Sequence, residues 1–121
     1  MSTAHTKVAI IGGDPVIGEA LEVVLQAAGY YARFLSEPEA DELGVLLADF
    51  QLLVVAPTLS AERRRALLSV VSSPATSMKI PVLELLPADA EQRLRGGNVL
   101  LWPCSTEELR LAIEAALLAQ R

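Results

Sequence analysis

Lys7-Val8-Ala9-Ile10-Ile11-Gly12-Gly13-Asp14-Pro15 is the stretch whose reading decides the fold. Lys7 to Ile11 is a short apolar, partly β-branched run with no polar alternation, the pattern of a strand buried on both faces. Gly12-Gly13 ends it. Asp14 suits a helix N-cap and Pro15 the first helical turn, so the strand passes directly into a helix. Ile17, Leu21, Val24, Leu25 and Ala28 recur at helical spacing, and Gly29 closes that helix.

The same alternation continues outward. Tyr30 to Leu35 is a second strand, and Ser36-Glu37-Pro38-Glu39 reads as a capping box opening a helix through about Ala48, with Leu43, Leu46 and Leu47 apolar. Leu52 to Ala56 is a fully apolar strand that Pro57 ends. Ser60 caps a helix reaching about Val71, with Leu67, Leu68 and Val71 inward. Ser72 to Ser77 is a loop. Val82 to Leu86 is a further apolar strand, Asp89 to Arg95 is a short helix at best before Gly96-Gly97, and Val99 to Leu101 is the last strand. Ser105-Thr106-Glu107-Glu108 is a second capping box ahead of a helix to the C-terminus. Strands alternating with helices imply an α/β fold: a three-layer, doubly wound, five-stranded parallel sheet in the order 2-1-3-4-5, with a shortened fourth helix.

Bulk properties bound the function. The 121 residues make one domain, 1–121, with residues 1–6 expected as a flexible tail. The end at Leu117-Leu118-Ala119-Gln120-Arg121 carries no clear stop signal, which leaves room for an output domain beyond residue 121. Composition is 52% hydrophobic and 4% aromatic, so the core must be mainly Leu, Val, Ala and Ile. Single Cys104 cannot form an internal disulfide, which fits a cytoplasmic location. His5 has no companion for a zinc site. No apolar run approaches the roughly 20 residues of a membrane span, and Met1 to Lys7 lack a signal-peptide core. A net charge of −5 argues against direct nucleic-acid binding. Arg63-Arg64-Arg65 and the pair Arg93 and Arg95 are expected to be solvated helix faces.

Taken together, the strand ends resemble those of the response-regulator receiver family. The Asp-Pro after the first strand, Gly29-Tyr30, Pro81-Val82 and Pro103 with Glu107-Glu108-Leu109 all look like that family. Gly12 to Ala56 is 44 residues and Ala56 to Leu86 is 30, about the family spacing; Leu86 to Trp102, at 16, is shorter. The resemblance implies two acidic metal ligands, a phosphoaccepting Asp, a hydroxyl residue and a Lys followed by a cis-linked Pro. The matching positions are Gly12 and Gly13, Ala56, Leu86 and Trp102. The aromatic switch residue of the family is matched by Val99.

Aspartyl phosphorylation needs a carboxylate nucleophile, an oxygen-ligated divalent cation and positive charge at the phosphoryl group. None of the matched residues supplies these, so neither catalysis nor a metal or other cofactor is expected. Asp14 reads as a cap. There is no Ser/His/Asp set or P-loop, and the dinucleotide fingerprint Gly-x-Gly-x-x-Gly fails because Asp14 or Pro15 falls at its middle glycine. A small anion on the Gly12 and Gly13 amides is a minor alternative.

Glu84 shares a strand face with Leu86; strand twist is expected to expose its tip, the other outcome being a partner for a buried carboxylate. Trp102 is expected to plug the vacated pocket, and Cys104 to be a small apolar residue beneath the last helix. The leading functional reading is a degenerate receiver, a phosphorylation-independent regulatory module of bacterial signalling and a candidate N-terminal domain of a transcription regulator. It would act on a protein partner or as a homodimer through the last helix, with Leu111, Ile113, Leu117 and Leu118 as interface. The alternative is a small-molecule sensor whose pocket at the strand ends comprises Gly12, Gly13, Asp14, Glu84 and Trp102.

Overall fold

Leu, Val and Ile side chains on both sides of the central strands decide the architecture. The computed structural model describes residues 6–36, 42–71, 80–87, 98–102 and 104–119. The strands are β1 (Lys7–Gly12), β2 (Tyr31–Ser36), β3 (Leu52–Val55), β4 (Val82–Pro87) and β5 (Asn98–Trp102). The four described helices are α1 (Pro15–Ala27), α2 (Leu43–Leu47), α3 (Ala61–Val71) and α4 (Thr106–Ala119). All strand pairings are parallel and the sheet order is β2-β1-β3-β4-β5, the doubly wound arrangement the alternation predicts.

Strand alternation splits the core in two. Val8, Ile10, Leu52, Val54, Leu83 and Leu85 face α1 and α4, where they meet Leu21, Leu25, Leu109 and Ile113. Ala9, Ile11, Leu53 and Val55 face the other way, onto Leu47 of α2 and Leu67 and Val71 of α3. Every residue of β3 is buried. Each such side chain contributes on the order of 1.5–3 kcal/mol on removal from water.

The helix ends follow the sequence signals. Asp14 caps α1 by accepting the Val16 N–H at 2.9 Å, with Pro15 at the first position. Gly29, at φ +100°, turns the chain out, and the Tyr30 N–H reaches back to the Leu25 carbonyl at 3.0 Å. At α4 the capping box is reciprocal: Ser105 Oγ accepts from Glu108 N–H at 3.0 Å and Glu108 Oε1 from Ser105 N–H at 2.9 Å.

Ser36 is the last residue of β2, and the described part of the helix that follows is Leu43–Leu47, with no side-chain cap from Glu42. Residues 37–41, which hold the rest of the first capping box, lie outside the described residues. Arg64, expected to be solvated, is turned inward as described below. The predicted tail apart from Thr6, the loop 72–77, the short helix 89–95 with Arg93 and Arg95, and Pro103 also lie outside them. Only residues 88–97 connect β4 to the parallel strand β5, near the minimum length of such a crossover.

Candidate functional site

In an open parallel α/β sheet, chemistry collects beyond the C-terminal ends of the strands. Here that end is built from Gly12, the last residue of β1, with Gly13 after it, Ala56-Pro57-Thr58 after β3, and Leu86 and Trp102 near the ends of β4 and β5. Ala56 is completely buried, and its N–H donates to the Ile11 carbonyl at 2.8 Å, which holds the β3 exit against β1. A Cβ placed on Gly12 would stand 2.5 Å from the Ala56 Cβ and 3.4 Å from Thr58 Oγ1. Gly12 is thus the residue that lets the two exits close on each other. Asp14 N–H donates to Thr58 Oγ1 at 3.3 Å, a second tie between the same loops.

Asp14, the one acid in this cluster, spends its carboxylate on the α1 cap. Leu86 is buried where the resemblance implies a hydroxyl. Trp102 is partly buried and packs on the α1/α4 side of the core. Glu84 does not join it. Its strand neighbours Leu83 and Leu85 face α1 and α4, so Glu84 lies on the opposite sheet face, toward α3. The sheet therefore brings Gly12 and Ala56 together but separates Glu84 from Trp102. Among the described residues, no group of three or more His, Cys, Asp and Glu is placed to hold a metal ion.

Glu84 takes the other outcome, a partner, and that partner is Arg64, which the sequence reading did not single out for it. Arg64 Nη1 lies 3.7 Å from Glu84 Oε1, in place of the twist-exposed tip expected for this carboxylate. The same guanidinium donates to the carbonyls of Leu59 at 3.2 Å, Ala56 at 3.4 Å and Leu85 at 3.5 Å. Burial pulls the Arg64 pKa down and the neighbouring Glu84 charge pushes it back up. The signal was present in the helix period: Arg64 stands three residues before Leu67 and seven before Val71, on the stripe that faces the sheet. Arg63 and Arg65, on either side, are exposed.

The four interface candidates on α4 divide. Ile113 is fully buried and Leu117 packs against the core, so these two are consumed by the fold and are removed from the interface set. Leu111 and Leu118 are 53% and 65% exposed. Cys104 is partly buried against the same core, as expected, and burial together with Glu108 pushes its thiol pKa up. No described helix is long and apolar enough to cross a membrane.

No family model and no curated protein matches the sequence. Solved structures do. A protein assigned as a response regulator from Chloroflexus aurantiacus J-10-fl superposes with a TM-score of 0.75 at 22% identity, over 95% of this chain and 99% of that one. The chemotaxis response regulator CheY4 of Vibrio cholerae gives 0.72 at 16% identity, over 94% and 100%. The signal receiver domain of an HD domain-containing protein from Pseudomonas fluorescens Pf-5 gives 0.71 at 21%, over 97% and 98%. At these identities the likeness is one of fold, and it spans nearly the whole length of each partner. The chain has the fold of response-regulator receiver domains.

Proposed function

We propose that this chain is a receiver-like regulatory module of bacterial signal transduction that works without aspartyl phosphorylation, by contact with a protein. The observation that carries the reading is the contact between Gly12 and Ala56. At the strand ends where a receiver needs acids, a cation and a nucleophile, this chain has a glycine seated against an alanine with no room for a side chain between them. The alternative of a sensor pocket at these ends draws less support from this geometry, because Gly12 and Ala56 close on each other and Glu84 and Trp102 face apart.

A module without covalent chemistry must act through its surface. The outer faces of α1 and α4, on the same side of the sheet, supply one. Val16 and Val23 on α1 are largely exposed, as are Leu111 and Leu118 on α4, each pair seven residues apart and therefore on one helix face. Our reading places a second copy of the chain on this surface, in the cytoplasm and as one domain of a larger regulator. The net charge of −5 favours a protein over nucleic acid as the direct partner.

Light scattering over a concentration series tests this. The chain is expected to associate as concentration rises, and the double variant Leu111→Glu, Leu118→Glu is expected to remain a folded monomer. A wild-type chain that is monomeric at every concentration would overturn self-association.

A further inference from the structure

At the opposite end of the sheet, β2 and the C-terminal end of α2 leave a cavity of about 320 Å³. Tyr31, Arg33 and Leu35 stand on one face of β2 by strand alternation, and Lys7 lies beside Tyr31 in the β1–β2 register. Leu46 and Phe50 form the facing wall, with Asp49 between them in sequence. That wall is fastened to β1: Lys7 N–H donates to Gln51 Oε1 at 2.9 Å, and Gln51 N–H returns to the Lys7 carbonyl at 2.8 Å. Lys7 Nζ sits 5.7 Å from the centre of the Tyr31 ring.

Charge and shape select the occupant. Among the described residues no carboxylate pairs with Lys7 or Arg33, so two cations stand against Asp49 alone. The balance favours an anion, and a guanidinium beside an ammonium is suited to a carboxylate. Two aromatic rings and two leucines favour a flat apolar body, and the volume lies at the small end of ligand sites. A peptide strand added to the edge of β2 is the competing occupant, but two of the outward backbone groups it would need are taken. Phe34 N–H donates to the Glu22 carboxylate at 2.6 Å, and the Gln26 amide donates to the Ala32 carbonyl at 3.2 Å.

We propose that this cleft binds a small aromatic carboxylate, its acid group on Arg33 and Lys7 and its ring against Tyr31 and Phe50. The proposal is independent of how the strand C-terminal ends function. The test is amide NMR of the whole chain titrated with indole-3-acetate and with benzoate, using indole-3-acetamide as the uncharged control. At least one acid should give saturable shifts centred on residues 7, 31, 33, 46 and 50. The amide control and the exposed-site variant Arg33→Gln, its fold checked by circular dichroism, should each weaken binding by roughly tenfold or more. Absence of saturable shifts with both acids, equal affinity for the amide or for Arg33→Gln, or shifts centred on residues 12–14 and 56–58 would each overturn it.

Discussion

Arg64 and Glu84 meet between α3 and β4, Nη1 to Oε1 at 3.7 Å, with side chains only 12% and 23% exposed. The pair does more than neutralise two charges. Because the guanidinium also reaches the carbonyls of Ala56 and Leu59, it fixes the turn that leaves β3, and through Leu85 it fixes that turn to β4. The Ala56 carbonyl also takes the Leu59 N–H at 3.3 Å, and Arg64 adds charged donors to the turn around that bond.

Replacing Arg64 should therefore cost more than replacing Glu84. Arg64→Met takes the guanidinium from three carbonyls, of which Ala56 keeps the Leu59 N–H, and leaves a half-buried carboxylate without its cation, whereas Glu84→Gln keeps the guanidinium on its carbonyls. Losses of about 2–3 kcal/mol and about 1 kcal/mol are expected, read from urea unfolding midpoints at constant slope. Equal effects would mean that the carbonyl contacts contribute little.

Gly12 and Ala56 should behave as a coupled pair. Gly12→Ala forces its new Cβ to 2.5 Å from that of Ala56, and an overpacked buried site of this kind costs about 1–3 kcal/mol. Adding Ala56→Gly removes the colliding atom and should recover a large part of the loss. Additive effects in that double-mutant cycle would contradict the contact.

The caps on the β2 edge should guard against association. Glu22→Ala with Gln26→Ala frees Phe34 N–H and the Ala32 carbonyl, and an unpaired edge recruits another strand. The double variant should lose about 1–3 kcal/mol of stability and form β-rich aggregates at concentrations where the parent stays clear. Turbidity and thioflavin fluorescence read the outcome.

Alkaline stability should fall earlier than exposed side chains would dictate. Burial, aided by Glu108, raises the Cys104 thiol above its ordinary 9.0, and burial, aided by Glu114, raises the Tyr30 phenol above 10.0. Both folded-state values lie above the unfolded ones, so each group contributes stability that is fully present below the unfolded pKa. That contribution is lost as pH rises through the raised folded value. Unfolding midpoints should thus drop from pH 9 upward, and Cys104→Ala with Tyr30→Phe should flatten the drop.

Much of the fold was legible because local signals agreed with one another. Asp14-Pro15, Gly29 and Ser105 with Glu108 each announce a helix end through a hydrogen bond that the structure contains. The apolar run Leu52–Val55 could only be a strand covered on both faces. What the sequence concealed depends on rotation and on contacts distant along the chain. An arginine triplet looks solvated until Arg64 is set in phase with Leu67 and Val71. The helix α4 carries leucines and isoleucine on more than one stripe, and only its docking on the sheet shows that Ile113 faces inward while Leu111 faces out. Glu84 and Trp102 lie near the same end of the sheet, but their strand parity puts them on opposite faces.

A chain with Gly12, Gly13 and Ala56 at these strand ends should not take up a phosphoryl group. The chain should be incubated with acetyl phosphate and Mg²⁺, alongside a receiver domain carrying the full acid set, and weighed intact by mass spectrometry. The prediction is an unchanged mass for this chain while the control gains a phosphoryl group. A phosphoryl adduct of matching yield on this chain, labile to base as an acyl phosphate is, would contradict it.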